Sequence, residues 1–285
     1  MNSQMRRRSL FLAMLSGCAL SPRAWSQAAA PLEIGLLPNL SPRVLLAQYQ
    51  PMREYLARGL SRAIQVSTAP SWTAFEQRTL DLEYDVVVTA ANMARVAQID
   101  RGYVPLLSYT PDIKGMVVYA TRRPIKSVAA LRGQTLVLSN PQSLVTMRGM
   151  QWLAGNGLLR GQDFKTIATP TDDSVGNVVV RGDAIAAMVS GGEYRAIPDA
   201  IKAQLQVLSV FAEVAGFIVL ASPKLSPSQA SAIKDQLRRF ATDSVEGKAF
   251  FSSTGFTGMR ELAPGVMESM DPYIDATRKV LSATG

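Results

Sequence analysis

Residues 64–92 read IQVSTAPSWTAFEQRTLDLEYDVVVTAAN, and this stretch decides the fold. It begins with a β-rich run at 64–70 and ends with an almost continuous apolar run, YDVVVTA, at 84–90. Between the two runs the apolar residues have helical spacing, and Ser71 is a good residue to cap the start of such a helix. A short run that is apolar throughout is typical of a strand covered on both faces. The stretch therefore predicts a strand–helix–strand unit.

The same alternation continues on both sides of this unit. Upstream lie a strand at 32–38 and a helix at 42–58, and downstream strand-like and helix-like runs alternate as far as a strand at 216–222. This pattern predicts an α/β protein with mixed, mostly parallel sheets and helices on both faces. Open α/β sheets bind ligands beyond the carboxyl ends of their strands, so we expect Asn39 and Asn92, which follow two such strands, near a ligand. Asn92 is also a candidate helix N-cap.

The composition excludes several kinds of chemistry. The chain has 285 residues, of which 47% are hydrophobic, and this is typical of a folded protein rather than a disordered one. It contains no His and one Cys, so it has no Ser-His-Asp triad, no His-ligated metal, no internal disulfide and no Cys-based zinc cluster. No phosphate-binding glycine loop is present. We therefore expect no cofactor, no metal ion and no catalysis.

The first 26 residues have the pattern of an export signal. Three arginines, at 6–8, precede an apolar run that is too short to span a bilayer, and small residues follow. Two cleavage sites remain open: ordinary signal peptidase after 24–26, or a lipobox at 15–18 whose Cys18 would become lipidated. The paired arginines leave both the general secretory route and the twin-arginine route open. We expect the mature protein in the periplasm.

Removing this segment changes the charge of the chain. The net charge of +8 includes the arginines at 6–8 and Arg23, and without these four the chain has 26 Lys and Arg against 22 Asp and Glu, a net charge of +4. No basic run with interleaved aromatic residues remains, so we expect no nucleic-acid partner. No other apolar segment approaches transmembrane length, so we expect the mature protein to contact the membrane only through a lipid anchor on Cys18, if that anchor is present. We expect a monomer.

Several short motifs resemble the phosphate-, phosphite- and phosphonate-binding periplasmic proteins of ABC importers, over roughly residues 32–260. The run PIKSVAALRG at 124–133 is similar to the segment that opens the second lobe in many importer binding proteins. The other motifs are LEIGLLPNLSP at 32–42, PMREYL at 51–56, APSW at 69–72, YDVVV at 84–88, NPQS at 140–143 and RGDA at 181–184.

The resemblance implies a type II periplasmic binding protein with two lobes. The first lobe would contain residues 32–112 and 215–285, and the second would contain residues 113–210. Two crossing strands, near 112–116 and 210–216, would form a hinge. The ligand would lie between the lobes, and closure would bury it.

The resemblance also implies an anion site at the start of one helix. In the family a Ser-Thr-Ser run there binds the phosphonate oxygens, helped by free amide groups and the helix dipole. Here the run is Ser143-Leu144-Val145, so one hydroxyl remains, with Thr146 next. Ser143 could equally cap its own helix.

Four further positions are carried over from the resemblance. Trp72 and Thr89 stand where the family has pocket tyrosines, although Trp72 could also belong to the core. Asp172 stands where the family has a His, and an acid at the start of a helix also stabilises that helix without any ligand. Glu193 corresponds to the acid that meets a substrate amine. The loss of hydroxyls at Leu144, Val145 and Trp72 indicates a less anionic or bulkier ligand.

Three functions remain in competition at this stage. The first is an exported solute-binding protein that delivers a small ligand, phosphonate-like or another oxyanion or organic acid, to an inner-membrane ABC permease. The second is a periplasmic sensor that presents its ligand to a membrane histidine kinase. The third, a periplasmic enzyme, lacks a paired acid–base motif and a nucleophile elbow.

Overall fold

The structure, a computed structural model, describes residues 30–138, 140–169 and 174–282. The predictions for the first 26 residues, including Cys18, and for Asp172 lie outside the described residues. Across the described ranges the strands are β1 Leu32–Leu36, β2 Ile64–Ser67, β3 Val86–Thr89, β4 Val104–Thr110, β5 Ile113–Ala120, β6 Thr135–Leu138, β7 Lys165–Ala168, β8 Ala186–Ser190, β9 Leu205–Val214, β10 Ile218–Ala221 and β11 Gly258–Arg260.

The helices connect these strands on both faces of each sheet. They are α1 Pro42–Leu60, α2 Trp72–Leu80, α3 Ala91–Arg101, α4 Leu144–Gly155, α5 Val175–Arg181, α6 Gly191–Ala196, α7 Asp199–Lys202, α8 Pro227–Asp243, α9 Val245–Thr254 and α10 Ile274–Ser282, with 3-10 helices at Val128–Leu131 and Glu268–Tyr273. In the part of the chain that the structure describes, no helix combines the length and the hydropathy needed to cross a bilayer.

The first sheet has six strands in the order β11-β4-β10-β3-β1-β2. β1 pairs in parallel with β2 and with β3, as the strand–helix–strand pattern of 64–92 predicts. β10 follows the whole second sheet in the chain, yet it lies between β3 and β4 and is antiparallel to both. All four residues of β3 and of β10 are buried, because helices cover both faces of this sheet.

The second sheet has five strands in the order β7-β6-β8-β5-β9, all from the chain between β4 and β10. β6 is parallel to β7 and β8, whereas β5 is antiparallel to β8 and β9. Among the described strands of both sheets, four pairings are parallel and five are antiparallel. The sheets are mixed, as predicted, but parallel pairing is not the majority. The antiparallel pairings come from β11 and from the strands that carry the chain between the sheets.

The chain crosses between the two sheets at two adjacent segments. β4 continues through Pro111 and Asp112 into β5, and β9 returns through residues 215–217 into β10. The two segments run antiparallel, since the amide of Tyr109 donates to the carbonyl of Phe217 (2.8 Å) and β5 and β9 continue the ladder beyond them. The two sheets are thus joined by the two-strand connection that the fold prediction contains. Paired crossing segments of this kind can act as a hinge.

Helix α1 illustrates how the local sequence produces these elements. Leu45, Tyr49, Met52 and Leu56 recur at helical spacing, and all four are buried. Pro42 occupies the first turn, where its missing amide costs no hydrogen bond. The buried stripe packs α1 against α8 and α9. The start of α1 is thereby held beside the junction of the two sheets.

The C-terminal segment contacts helices of both sheets. The 3-10 helix Glu268–Tyr273 and α10 pack on α3 of the first sheet. The hydroxyl of Tyr273 accepts from Nη1 of Arg148 in α4 (2.7 Å) and donates to Oε1 of Gln151 in the same helix (3.0 Å). The segment therefore adds side-chain contacts between the two halves of the molecule, beside the two crossing strands.

Candidate ligand-binding cleft

A cleft of about 730 Å³ lies between the two sheets. This volume is within the range of about 300–1,000 Å³ that is usual for small-molecule sites. Most side chains on its walls are apolar or aromatic. The first sheet and its helices contribute Asn39, Leu40, Leu45, Gln48, Tyr49, Trp72, Ala90, Ala91, Phe217 and residues 252–256, and the second contributes Lys114, Met116, Ser143, Leu144, Val145, residues 190–196 and Glu213, with the crossing segments between them.

The cleft lies where the carboxyl ends of several strands meet. Asn39 follows β1, Ala90 follows β3, and Ser190 ends β8, and all three residues line the cleft. Helices α1, α2, α3 and α4 begin beside it, so the partial positive charge of each helix start is nearby. Ala90 stands at the N-cap of α3 without a capping side chain, and it leaves the first amide groups of α3 without a side-chain partner. These features favour a negatively charged ligand.

Ser143 is at the start of α4 and its hydroxyl is engaged within its own loop. Oγ accepts from the amide of Thr146 (3.1 Å) and donates to Oγ1 of Thr146 (3.1 Å). Oγ1 of Thr146 in turn donates to the carbonyl of Asn140 (2.7 Å). The capping role of Ser143 is confirmed, and its contact with a ligand stays a prediction.

Replacing Ser143 by Ala should lower the free energy of unfolding by about 1 kcal/mol, because α4 loses the oxygen that accepts from the amide of Thr146. Urea denaturation measures the change. Ser71→Ala is the matched control, since Ser71 caps α2 in the same way and accepts from the amide of Ala74 (3.1 Å). Unchanged stability of the Ser143 variant, with a normal loss in the control, would contradict this capping role.

Four of the residues predicted from the sequence are brought together at the cleft. Asn39 and Trp72 lie on the first-sheet wall, and both are half-buried. Ser143 and Glu193 lie on the opposite wall. Glu193 belongs to a capping box: its amide donates to Oγ of Ser190 (3.1 Å), and its carboxylate accepts from the amide of Ser190. The carboxylate of Glu193 is therefore directed towards the start of α6.

Three other predicted residues, Thr89, Asn92 and Thr146, are not on the cleft walls. Thr89 is fully buried, and its hydroxyl is 3.7 Å from Sδ of Met93. Asn92 is inside α3 rather than at its N-cap, because the helix begins at Ala91, directly after the turn that follows β3. Its Nδ2 donates to Oγ1 of Thr277 in α10 (3.0 Å). Thr146 is buried under its own loop, and Asp172 lies outside the described residues.

Five charged side chains line the cleft. Asp112 is paired with Arg260, and Glu193 is directed towards its helix start, as described above. Nη2 of Arg195 donates across the cleft to the carbonyl of Thr254 (3.3 Å), and burial lowers the pKa of this guanidinium. The remaining two are Lys114 and Glu213. Neither Lys114 nor Arg195 has an acidic partner among the described residues. No group of three or more potential metal ligands occurs in that part of the chain either.

Sequence reasoning missed Arg195, the end of α9 at 252–256, and the position of Lys114. The available signal was the Gly191-Gly192 pair, which follows a strand end and begins α6, the helix that carries Arg195. The end of α9 gave no signal, because it reaches the cleft only through tertiary packing.

Two mixed sheets that are joined by two crossing strands, with a cleft at the junction, define a type II periplasmic binding protein. The chain belongs to the family of phosphonate-type periplasmic substrate-binding proteins of ABC transporters, because the family's sequence profile matches residues 34–264. The resemblance seen in the sequence motifs is therefore confirmed for both the fold and the family.

Solved structures show the same fold at low sequence identity. PhnD1 from Prochlorococcus marinus, in complex with methylphosphonate, has a TM-score of 0.77 at 12% identity, and the match covers 87% of this chain and 97% of the PhnD1 chain. XAC2383 from Xanthomonas citri, bound to chloride ion, has a TM-score of 0.74 at 18% identity, with coverage of 87% and 99%. The periplasmic aliphatic sulphonate binding protein SsuA from Escherichia coli has a TM-score of 0.61 at 15% identity, with coverage of 88% and 92%.

Proposed function

We propose that this periplasmic substrate-binding protein captures an organic anion with a sizeable apolar body and delivers it to an ABC permease. The observation that carries the proposal is the cleft itself, which combines unpaired cationic side chains with largely apolar walls. Asn39, Trp72, Ser143 and Glu193 are the sequence-predicted residues that we place against the ligand.

The charge of the ligand is supported by the electrostatics of the cleft. Several helix starts surround it, and Lys114 and Arg195 are without acidic partners in the described chain. Burial lowers the pKa of the Arg195 guanidinium, and a partly desolvated cation interacts with an anion more strongly than a fully hydrated one does. An anionic group on the ligand would satisfy these side chains.

The apolar body is supported by the size and the lining of the cleft. Leu144 and Val145 bring apolar side chains to the start of α4, and Trp72 adds an indole to the facing wall. A site of about 730 Å³ has room for a molecule much larger than methylphosphonate, the ligand in the similar PhnD1 structure. The similar XAC2383 has been solved bound to ATP, and SsuA is described as an aliphatic sulphonate binding protein. Proteins with this fold thus hold anions of different body sizes.

Thermal unfolding with a panel of anions tests the proposal. The panel contains phosphate, methylphosphonate, benzylphosphonate, benzenesulfonate and benzoate, with benzyl alcohol as the uncharged control. A ligand at about 100 times its Kd stabilises the folded state by about 2.7 kcal/mol, and this should raise Tm by about 5–10 °C for a protein of this size.

We expect benzylphosphonate or another aromatic anion to give the largest shift and benzyl alcohol to give little. A panel without any shift would contradict capture of an organic anion. A shift with methylphosphonate as large as that with benzylphosphonate would contradict the apolar body.

A further inference from the structure

We infer that the anionic group of the ligand is held by Lys114 and Arg195, on the second-sheet wall, rather than by the start of α4. This inference rests on the proposed function and assigns the position of the charged group within the same cleft.

Lys114 projects from β5 into the cleft as a free cation. It lies two residues before Met116, which also lines the cleft, so both side chains extend from the same face of the strand. Lys114 is exposed, and within the described chain its ammonium group makes no ion pair and no side-chain hydrogen bond. Its three donors are therefore available to a ligand.

Arg195 lies close to Lys114 because β5 and β8 are neighbouring strands, and Gly191 directly follows β8. A Cβ atom built on Gly191 would be 3.7 Å from Nη1 of Arg195 and 3.8 Å from the carbonyl oxygen of Lys114. A Cβ atom built on Gly192 would be 3.9 Å from Nη2 of Arg195, so the guanidinium group lies over the glycine pair and beside the backbone of Lys114. Arg195 uses one donor, to the carbonyl of Thr254. Since a guanidinium has five N–H donors, a fork remains for an oxyanion.

The neighbouring acids leave this cation pair available. Asp112 is paired with Arg260, and the carboxylate of Glu193 is bonded to the amide of Ser190. Glu213 lies directly opposite Lys114 in the β5–β9 ladder, so its side chain is on the same face, yet the two form no ion pair. Glu213 would therefore repel a bound anion, and its removal should strengthen anion binding.

The start of α4 is a poor alternative for the anionic group. Leu144 and Val145 are apolar and buried, and the hydroxyl proton of Ser143 is given to Thr146. This wall is better suited to the apolar body of the ligand. The two halves of the ligand would then meet different walls of one cleft.

The experiment compares Lys114→Gln, Arg195→Gln, Arg195→Lys and Glu213→Gln with the wild type in calorimetric titrations. The probes are benzylphosphonate and benzenesulfonate, with benzyl alcohol as the uncharged analogue. Lys165→Gln is the matched control, since Lys165 is exposed on β7, is not on the cleft walls, and makes no side-chain hydrogen bond or ion pair in the described chain.

We expect Lys114→Gln and Arg195→Gln each to weaken anion binding about 10- to 100-fold and to leave the uncharged analogue unchanged. Arg195→Lys should recover part of the loss, Glu213→Gln should tighten anion binding, and Lys165→Gln should have no effect. If the wild type binds the anions and both Gln variants bind them equally well, this inference is wrong and the proposed function still stands. Equal losses for charged and uncharged probes would also overturn it, because Arg195 would then act only through its contact with Thr254. A wild type that binds none of the probes would overturn the proposed function and this inference together.

Discussion

Gly216→Ala should destabilise the protein by about 3 kcal/mol or more, or prevent it from folding. Gly216 is buried in the second crossing segment, and a Cβ atom there would overlap the carbonyl oxygen of Tyr109 and lie 3.0 Å from its carbonyl carbon. Both are backbone atoms, so no flexible side chain can move aside. Tyr109 itself is held in place, because its buried ring packs edge-on against Phe217, Phe250, Phe251 and Phe256.

Chemical denaturation of the Gly216 variant measures this effect directly. Gly155→Ala is the matched control: Gly155 is the last residue of α4, and a Cβ atom there would meet nothing within 4 Å. Because Ala has a higher helix propensity than Gly, the control variant should be as stable as the wild type or slightly more stable. Equal stabilities of the two variants would show that the crossing segment tolerates a side chain at this position.

The wild type should lose stability as the pH rises from about 5 to about 8, and the Glu76→Gln variant should not show this loss. Glu76 lies in α2 with 1% of its surface exposed, and neither carboxyl oxygen has a hydrogen-bond partner. Burial, and to a smaller extent the charge of Asp100, raises the pKa of Glu76 from 4.5 to about 8. The folded protein therefore keeps this proton at neutral pH.

The direction of the effect follows from proton binding. Between pH 4.5 and about 8 the folded state holds the Glu76 proton and the unfolded state has lost it, so stability falls as the pH rises. The full shift corresponds to a free energy of unfolding on the order of 4 kcal/mol, all of it present below pH 4.5 and lost above about 8. Glutamine is uncharged at every pH, so the variant lacks this contribution to the pH dependence of the free energy of unfolding.

Tm measured from pH 5 to pH 9 checks this prediction. Glu83→Gln, which removes an exposed carboxylate just after α2, is the control and should keep the slope of the wild type. Parallel pH profiles for the wild type and the Glu76 variant would show that Glu76 is ionised in the folded protein.

Much of the fold could be predicted because its signals are local. The apolar run of β3 and the buried stripe of α1 follow from the period of the sequence, and Ser71 and Ser143 were recognisable as helix caps. The share of antiparallel pairing was not predictable from such patterns, because β10 takes its place between β3 and β4 from far along the chain.

The candidate site was predictable only in part, for a related reason. Asn39, Trp72 and Ser143 follow strand ends, and such positions meet at one edge of a sheet. Thr89 also follows this rule, but the turn after β3 directs its hydroxyl towards Met93. Arg195 and the end of α9 depend on how the two halves face each other, and no local pattern specifies that.

The position of β10 also determines the order in which the chain can be assembled. Strand β4 has β10 and β11 as its described neighbours, so the first sheet lacks its middle until residues 218–221 are present. The second sheet is built from one continuous stretch and can form earlier. During synthesis or export, the first sheet, whose strands β1 to β4 emerge first, is therefore completed last. In the meantime the unpaired edge of β3 is the surface that a chaperone would have to protect.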